Sequence, residues 1–183
     1  LPNSIGVDWN AVDRYAVDGL LPFGSGVEGT PCVFNPKRDP HVLVVGASGG
    51  GKSVSLQVLL YAAAVSGAEI YIIDPIKAGA DFRFLQAYAR AFAATIDEAQ
   101  AVMKAVYAEV VRRKDLNAQH GVSGYRELPE LVRPKHIYLV IDEFTSLMQA
   151  EPVSKTPSDN PEVELERQAV LKANASRAYI GTM

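Results

Sequence analysis

The sequence predicts an α/β fold built on a mostly parallel sheet with helices on both faces, and three observations carry that prediction. Three apolar runs of strand length occur at 41–45, 69–73 and 137–141. Helix-length segments with apolar residues at helical spacing separate or follow them. Strand and helix alternate along the whole chain, the pattern of a sheet covered by crossover helices.

Each element has its own signal. Residues 1–39 are rich in Gly, Pro and Asn, with one strand candidate at 32–34, and read as entry loops and edge structure. The run His41-Val42-Leu43-Val44-Val45 ends in glycine and reads as a buried parallel strand. From 52 to 66 the apolar positions leave little polar face, so a mostly buried helix is expected, closed by Gly67. A second buried strand, 69–73, stops at Asp74-Pro75, since proline cannot donate to a ladder. Thr95-Ile96-Asp97-Glu98 has the form of a capping box. Ala99, Val102, Met103, Val106, Tyr107, Val110 and Val111 follow at helical spacing, and Arg112-Arg113-Lys114 suit a helix C-terminus that fades by Gly121. A third buried strand, 137–141, closes on Asp142-Glu143. The polar stretch 151–160 is a surface loop, and Pro161 suits the first turn of a last helix over 162–179. This divides the chain into an entry segment, 1–39, and a core, 40–183.

Bulk properties exclude some functions. With 48% hydrophobic and 21% charged residues, the 183-residue chain has the composition of one globular domain. Its longest apolar stretch, 58–65, falls far short of the roughly 20 residues of a membrane span, so a membrane anchor is expected only outside this chain. Cys32 is the sole cysteine, which rules out an internal disulfide and fits a cytoplasmic location. The net charge of −3 provides no overall basic footprint, so any nucleic-acid contact must be local or created by assembly of several copies.

The most informative segment is Gly46-Ala47-Ser48-Gly49-Gly50-Gly51-Lys52-Ser53, which satisfies the pattern G-x-x-x-x-G-K-[ST]. Glycines let the backbone curl so that successive N–H groups, helped by the positive end of the following helix, point at phosphates. Lys52 reaches the β- and γ-phosphates of ATP, Ser53 gives its hydroxyl to Mg²⁺, and Val54 completes the nucleotide-binding set on the helix. Asp142, at a strand end, suits the acidic residue associated with Mg²⁺. Glu143 is placed to polarise an attacking water as general base, which makes Glu143 and Lys52 the catalytic candidates. The competing reading of Asp142 and Glu143 is a pair of solvated charges where a strand meets its loop. Asp74 is either a nucleotide sensor or a turn residue, and spacing leaves both open.

Three motifs stand in order: Asp39-Pro40-His41-Val42-Leu43-Val44 leading into the glycine loop, Ile73-Asp74-Pro75 with Lys77, and Ile141-Asp142-Glu143-Phe144. Together they resemble the FtsK/SpoIIIE family of motor ATPases, in which the second motif is Asp-Pro-Lys; here Ile76 separates Pro75 from Lys77. The resemblance implies a RecA-like P-loop NTPase fold and ATP hydrolysis with Mg²⁺. It also implies a homo-oligomeric, hexameric ring that translocates double-stranded DNA in conjugative transfer or chromosome segregation. A related branch drives type VII protein export, the alternative function. Ring assembly implies an arginine acting in trans, with Arg112, Arg113, Arg126 and Arg133 as candidates. The family's further central strand would follow the last helix. The chain is therefore expected to stop short of it, with a gap between the strands ending at Val45 and Ile141.

Overall fold

The structure is a computed structural model that describes residues 8–47 and 49–182. These residues divide into two compact units.

The first unit holds residues up to 70, together with 84–90 and 135–138. It opens with a helix the sequence reading did not anticipate, α1 (Trp9–Val17). Asp8 caps it, its carboxylate accepting the N–H groups of Asn10 and Ala11 at 3.1 and 3.2 Å. Val12 and Ala16, one turn apart, are its buried residues. After Gly19 come β1 (Leu21–Ser25) and β2 (Pro31–Phe34), paired antiparallel with a bulge between Pro22 and Gly24. The expected edge strand is therefore half of a hairpin. Helix α2 (Lys52–Val65) ends where expected, on Gly67 at φ 76°. It buries Val58, Leu60, Ala62 and Ala63 but leaves Val54 exposed. Against it lies α1: the Trp9 and Tyr61 rings meet edge to face at 5.0 Å, and the Tyr61 hydroxyl donates to Asp13 at 3.1 Å.

The expected buried strand at 41–45 does not form. These residues have no regular structure, and Val42, Leu43 and Val45 are 52%, 82% and 81% exposed. An apolar run becomes a buried strand only when a neighbour satisfies its backbone groups, and no described strand pairs with this one.

The second unit is organised around the C-terminal part of β3 (Glu69–Ile73), which matches the expected bounds. The sheet order is β4-β3-β5, with β4 at Ala91–Ala93 and β5 at Ile137–Ile141. β4 is parallel to β3, Ile72 facing Phe92. β5 is parallel too: the Glu69 N–H reaches the His136 carbonyl at 2.8 Å, and the Asp142 N–H reaches Ile73 at 2.9 Å. With neighbours on both sides, Ile70, Ile72 and Ile73 are fully buried. β5 has one partner and is only half-buried along its length, so the expectation of a third buried strand is corrected. β4 went unrecognised because three residues, two of them alanine, give neither a run nor a period.

Helix α3 (Ile96–Gln119) starts on Thr95, whose hydroxyl accepts the Glu98 N–H at 3.3 Å. The Glu98 carboxylate returns to the N–H of Ala94 rather than to the capping residue's own. The helix runs five residues beyond Lys114, so the three cations lie inside it. Arg112 and Arg113 bind Glu109 at 2.6 and 2.7 Å instead of capping carbonyls. After β5 comes a short helix, α4 (Phe144–Met148), also unanticipated. Residues 149–160 lack regular structure, as expected of the loop. The last helix, α5 (Pro161–Gly181), has Pro161 in its first turn and Asn160 as its cap. It is tied to α3 by a Lys172–Asp97 ion pair and by the Lys104 ammonium 5.1 Å from the Tyr179 ring centre. No described helix is long and apolar enough to cross a membrane.

Two predictions follow from local geometry. Gly79 has φ 72°, and a Cβ there would lie 2.3 Å from the Phe92 ring. Gly79→Ala therefore combines left-handed strain with overpacking and is expected to cost about 2–4 kcal/mol. Gly121→Ala, at φ 65° with open space around it, carries the strain alone, about 1–2 kcal/mol; urea unfolding of both variants checks the difference. The Arg112 guanidinium, then Arg113, hold the Glu109 carboxyl at about 2, well below its ordinary 4.5. This stabilisation is complete above about pH 4.5 and is lost as pH falls through about 2. Glu109→Gln should flatten that acid limb of the stability profile, as followed by α-helical circular dichroism.

Candidate functional site

The residues singled out from the sequence form two clusters, one in each compact unit. The first is the glycine loop. Gly49 and Gly51 lie at φ 76° and 86°, left-handed values that a residue with a Cβ reaches only with strain. Among the described residues, nothing beyond each glycine's chain neighbours lies within 4 Å of a Cβ position at Gly46, Gly49 or Gly51. Gly51 caps α2, the first helical bond running from the Ser55 N–H to the Gly51 carbonyl at 2.9 Å. Lys52, Ser53 and Val54 thus occupy the first turn, where helical N–H groups have no intrahelical acceptor and the helix dipole is positive. Lys52 and Ser53 are half-buried and Val54 is exposed. The Gly50 N–H donates to the Ala47 carbonyl at 3.0 Å, closing a tight turn inside the loop. Ser48 lies outside the described residues.

The second cluster sits past the C-terminal ends of β3 and β5. Parallel pairing brings these ends side by side, so Asp74 and Asp142, each the first residue beyond its strand, become neighbours. Both are buried, at 0% and 2% exposure. Burial raises the Asp74 carboxyl above its ordinary value, aided by the charges of Asp142 and Asp81 and opposed by the N–H of Lys77. Asp74 Oδ1 accepts that N–H at 3.2 Å, while Oδ2 is buried with no hydrogen-bond partner among the described residues. Glu143 stands at the entrance to α4 with φ 48° and ψ 42°. Its carboxylate is about one-third exposed, which leaves it accessible to water.

Lys77, to which the sequence reading assigned no role, occupies the centre of this cluster. Its ammonium lies 3.0 Å from Asp81, 3.1 Å from Glu143 and 3.3 Å from Asp142. The hydrogen bond to Asp81 chiefly raises its pKa, with Glu143 and Asp142 adding to that against the pull of burial. Asp81 was also missed, although the Lys77–Asp81 spacing of four residues was a signal. The other signal was positional: charged residues just beyond adjacent parallel strands must meet. Asp74 takes part in this turn through the Lys77 N–H.

The four arginine candidates are all engaged by their own unit. Arg112 and Arg113 bind Glu109, Arg133 donates to the Leu128 carbonyl at 2.7 Å, and Arg126 lies 6.0 Å from the Tyr125 ring centre. Among the described residues no three His, Cys, Asp or Glu side chains are grouped to cage a metal ion. In nucleotide sites Mg²⁺ is held largely by phosphates and water with one or two protein oxygens, and the Ser53 hydroxyl and the Asp142 carboxylate are donors of that kind.

Comparison with known proteins places the chain. Over 141 residues it is 30% identical to DNA translocase SftA of Bacillus subtilis (strain 168), covering 70% of this chain and 15% of that protein. It is 27% identical over 137 residues to DNA translocase FtsK of Caldanaerobacter subterraneus subsp. tengcongensis, covering 70% and 19%. An ESX secretion system protein, EccC of Thermomonospora curvata, is 26% identical over 157 residues, covering 72% and 12%. The chain thus spans less than a fifth of the length of each of these relatives. Among solved structures, the conjugation coupling protein TcpA of pCW3, a monomer form with ATPγS, superposes with a TM-score of 0.71. It is 23% identical, and the match covers 99% of this chain and 49% of that one, which establishes the shared α/β P-loop fold. The FtsK/SpoIIIE family model matches residues 10–134, and the chain belongs to the FtsK/SpoIIIE family.

Proposed function

We propose that this chain is the ATP-binding and ATP-hydrolysing segment of a motor that translocates double-stranded DNA. The observation that carries the reading is a two-part chemical set in a member of this family. A left-handed glycine loop opens α2 with Lys52 and Ser53, and a buried Asp142 precedes an accessible Glu143 at the end of a parallel strand. In this reading the loop amides from Gly46 to Val54 and Lys52 bind the ATP phosphates, and Ser53 and Asp142 hold Mg²⁺. The metal ion, when bound, neutralises charge that builds on the phosphates during transfer. Glu143 accepts a proton from the water that attacks the γ-phosphate.

DNA as substrate is supported by the relatives named as DNA translocases. A net charge of −3 argues against one copy holding a polyanion alone. A ring, hexameric in this reading, concentrates local cations in a pore and lets one subunit's arginine complete its neighbour's site. The EccC similarity favours a second reading, export of a protein by the same ATPase chemistry.

The two halves of the site have separable signatures. Lys52→Ala should weaken ATP binding at least tenfold, as measured by calorimetry, because it removes a ground-state phosphate contact. Glu143→Gln should keep ATP affinity within a few-fold while turnover drops roughly 10²- to 10⁴-fold. Turnover at the wild-type rate in Glu143→Gln removes Glu143 from the base role. In the full-length protein, double-stranded DNA should stimulate ATP hydrolysis, with an apparent DNA affinity that weakens steeply between 50 and about 200 mM salt. Hydrolysis indifferent to DNA but stimulated by a polypeptide substrate selects the export reading.

A further inference from the structure

Among the described residues, two non-glycine residues have positive φ: Ala78 at 50° and Glu143 at 48°. Both stand beside the same ion pair. Ala78 follows Lys77 directly, and Glu143 is one of the carboxylates that Lys77 holds. Left-handed backbone costs a residue with a Cβ free energy, and such outliers persist where surrounding contacts over-determine them.

The contacts here do so from both sides. The turn carrying Lys77 is pinned to the end of β3: Asp74 Oδ1 accepts the Lys77 N–H, and the Asp74 carbonyl accepts the Gly79 N–H at 2.9 Å. Gly79, in the same turn, lies so near the Phe92 ring that a Cβ there would sit 2.3 Å from it. Opposite it, the Asp142 N–H binds Ile73 and the Leu147 N–H binds the Glu143 carbonyl, both at 2.9 Å. Between these fixed backbones the ammonium has three N–H donors and three carboxylates within 3.3 Å. Removing it takes a cation from between Asp81, Asp142 and Glu143, beside the buried Asp74, a change that like-charge repulsion opposes.

We propose that Lys77 is a positioning residue for Glu143. Its ammonium fixes the Glu143 carboxylate where it serves the attacking water and adds a positive charge beside the buried Asp142. The proposal rests on Glu143 being the general base. It assigns a role to the lysine that Ile76 displaces by one position from its place in the family's Asp-Pro-Lys. In this role Lys77 acts through Glu143. Asp81 binds the same ammonium at 3.0 Å.

The test compares Lys77→Met, nearly isosteric and uncharged, with Lys77→Arg, which keeps the charge. In steady-state ATPase assays Lys77→Met should lower kcat tenfold or more with KM for ATP within twofold, and Lys77→Arg should recover part of the loss. A structural role alone would move both parameters or neither. Amide hydrogen exchange without nucleotide provides the readout that does not need activity: residues 143–147 should exchange faster in Lys77→Met than in wild type, with α3 and α5 unchanged. Should Lys77→Met fail to fold, Lys77→Gln carries the same two measurements. Turnover at or above the wild-type rate overturns the proposal, as does unchanged exchange at 143–147. If the wild-type protein itself does not turn over ATP, the functional reading falls, and hydrogen exchange alone then decides whether Lys77 fixes the backbone at Glu143.

Discussion

A parallel strand holds its place only when neighbouring strands satisfy its backbone, and in this chain that constraint sorts the three apolar runs of strand length. β3 has neighbours on both sides and is buried to its last residue. β5 has one and is half-buried. Residues 41–45, as apolar as either, pair with no described strand and lie largely exposed. The acidic cluster depends on the same pairing. Asp74 and Asp142 meet because β3 and β5 run in the same direction and end level with each other, so one ladder creates both a hydrophobic sheet and two buried carboxylates at its rim. Lys77 brings a cation to that rim, within 3.3 Å of Asp81, Glu143 and Asp142.

Local chemistry was legible where it is self-contained. The bounds of β3 and β5, the glycine stop after α2, the Thr95 cap and Pro161 at the start of α5 each follow from residues that act on their immediate neighbours. The phosphate loop was legible for the same reason, since its glycines, lysine and serine are consecutive. Features that depend on a distant partner were not. Burial of 41–45 required a neighbour that no apolar count reveals. Arg112 and Arg113 looked like helix-terminating cations, but Glu109, one turn earlier, claims both and the helix continues. α1 was hidden by a Gly- and Pro-rich flank although Asp8 and the Val12–Ala16 spacing marked it.

The candidate site shows the same division. Asp142 and Glu143 were readable as a pair, yet their counter-ion lies 65 residues earlier for Asp142, in a turn where Ile76 obscures the family pattern. Topology, rather than sequence proximity, makes Lys77 their partner. The left-handed backbone at Glu143 was also invisible, because the residue type gives no hint of it. Strain of this kind arises from surrounding contacts and is found only once those contacts are known.

The small turn closed by Gly50 and Ala47 has a consequence for how a nucleotide would enter. While the Gly50 N–H is spent on the Ala47 carbonyl, it cannot also face a phosphate, so the loop must open before its full ring of amides is available. A net intramolecular hydrogen bond is worth about 1 kcal/mol. Opening therefore costs roughly fivefold in apparent affinity, a toll set by the protein rather than the ligand. It falls equally on ATP and ADP, so it weakens nucleotide retention without discriminating between them.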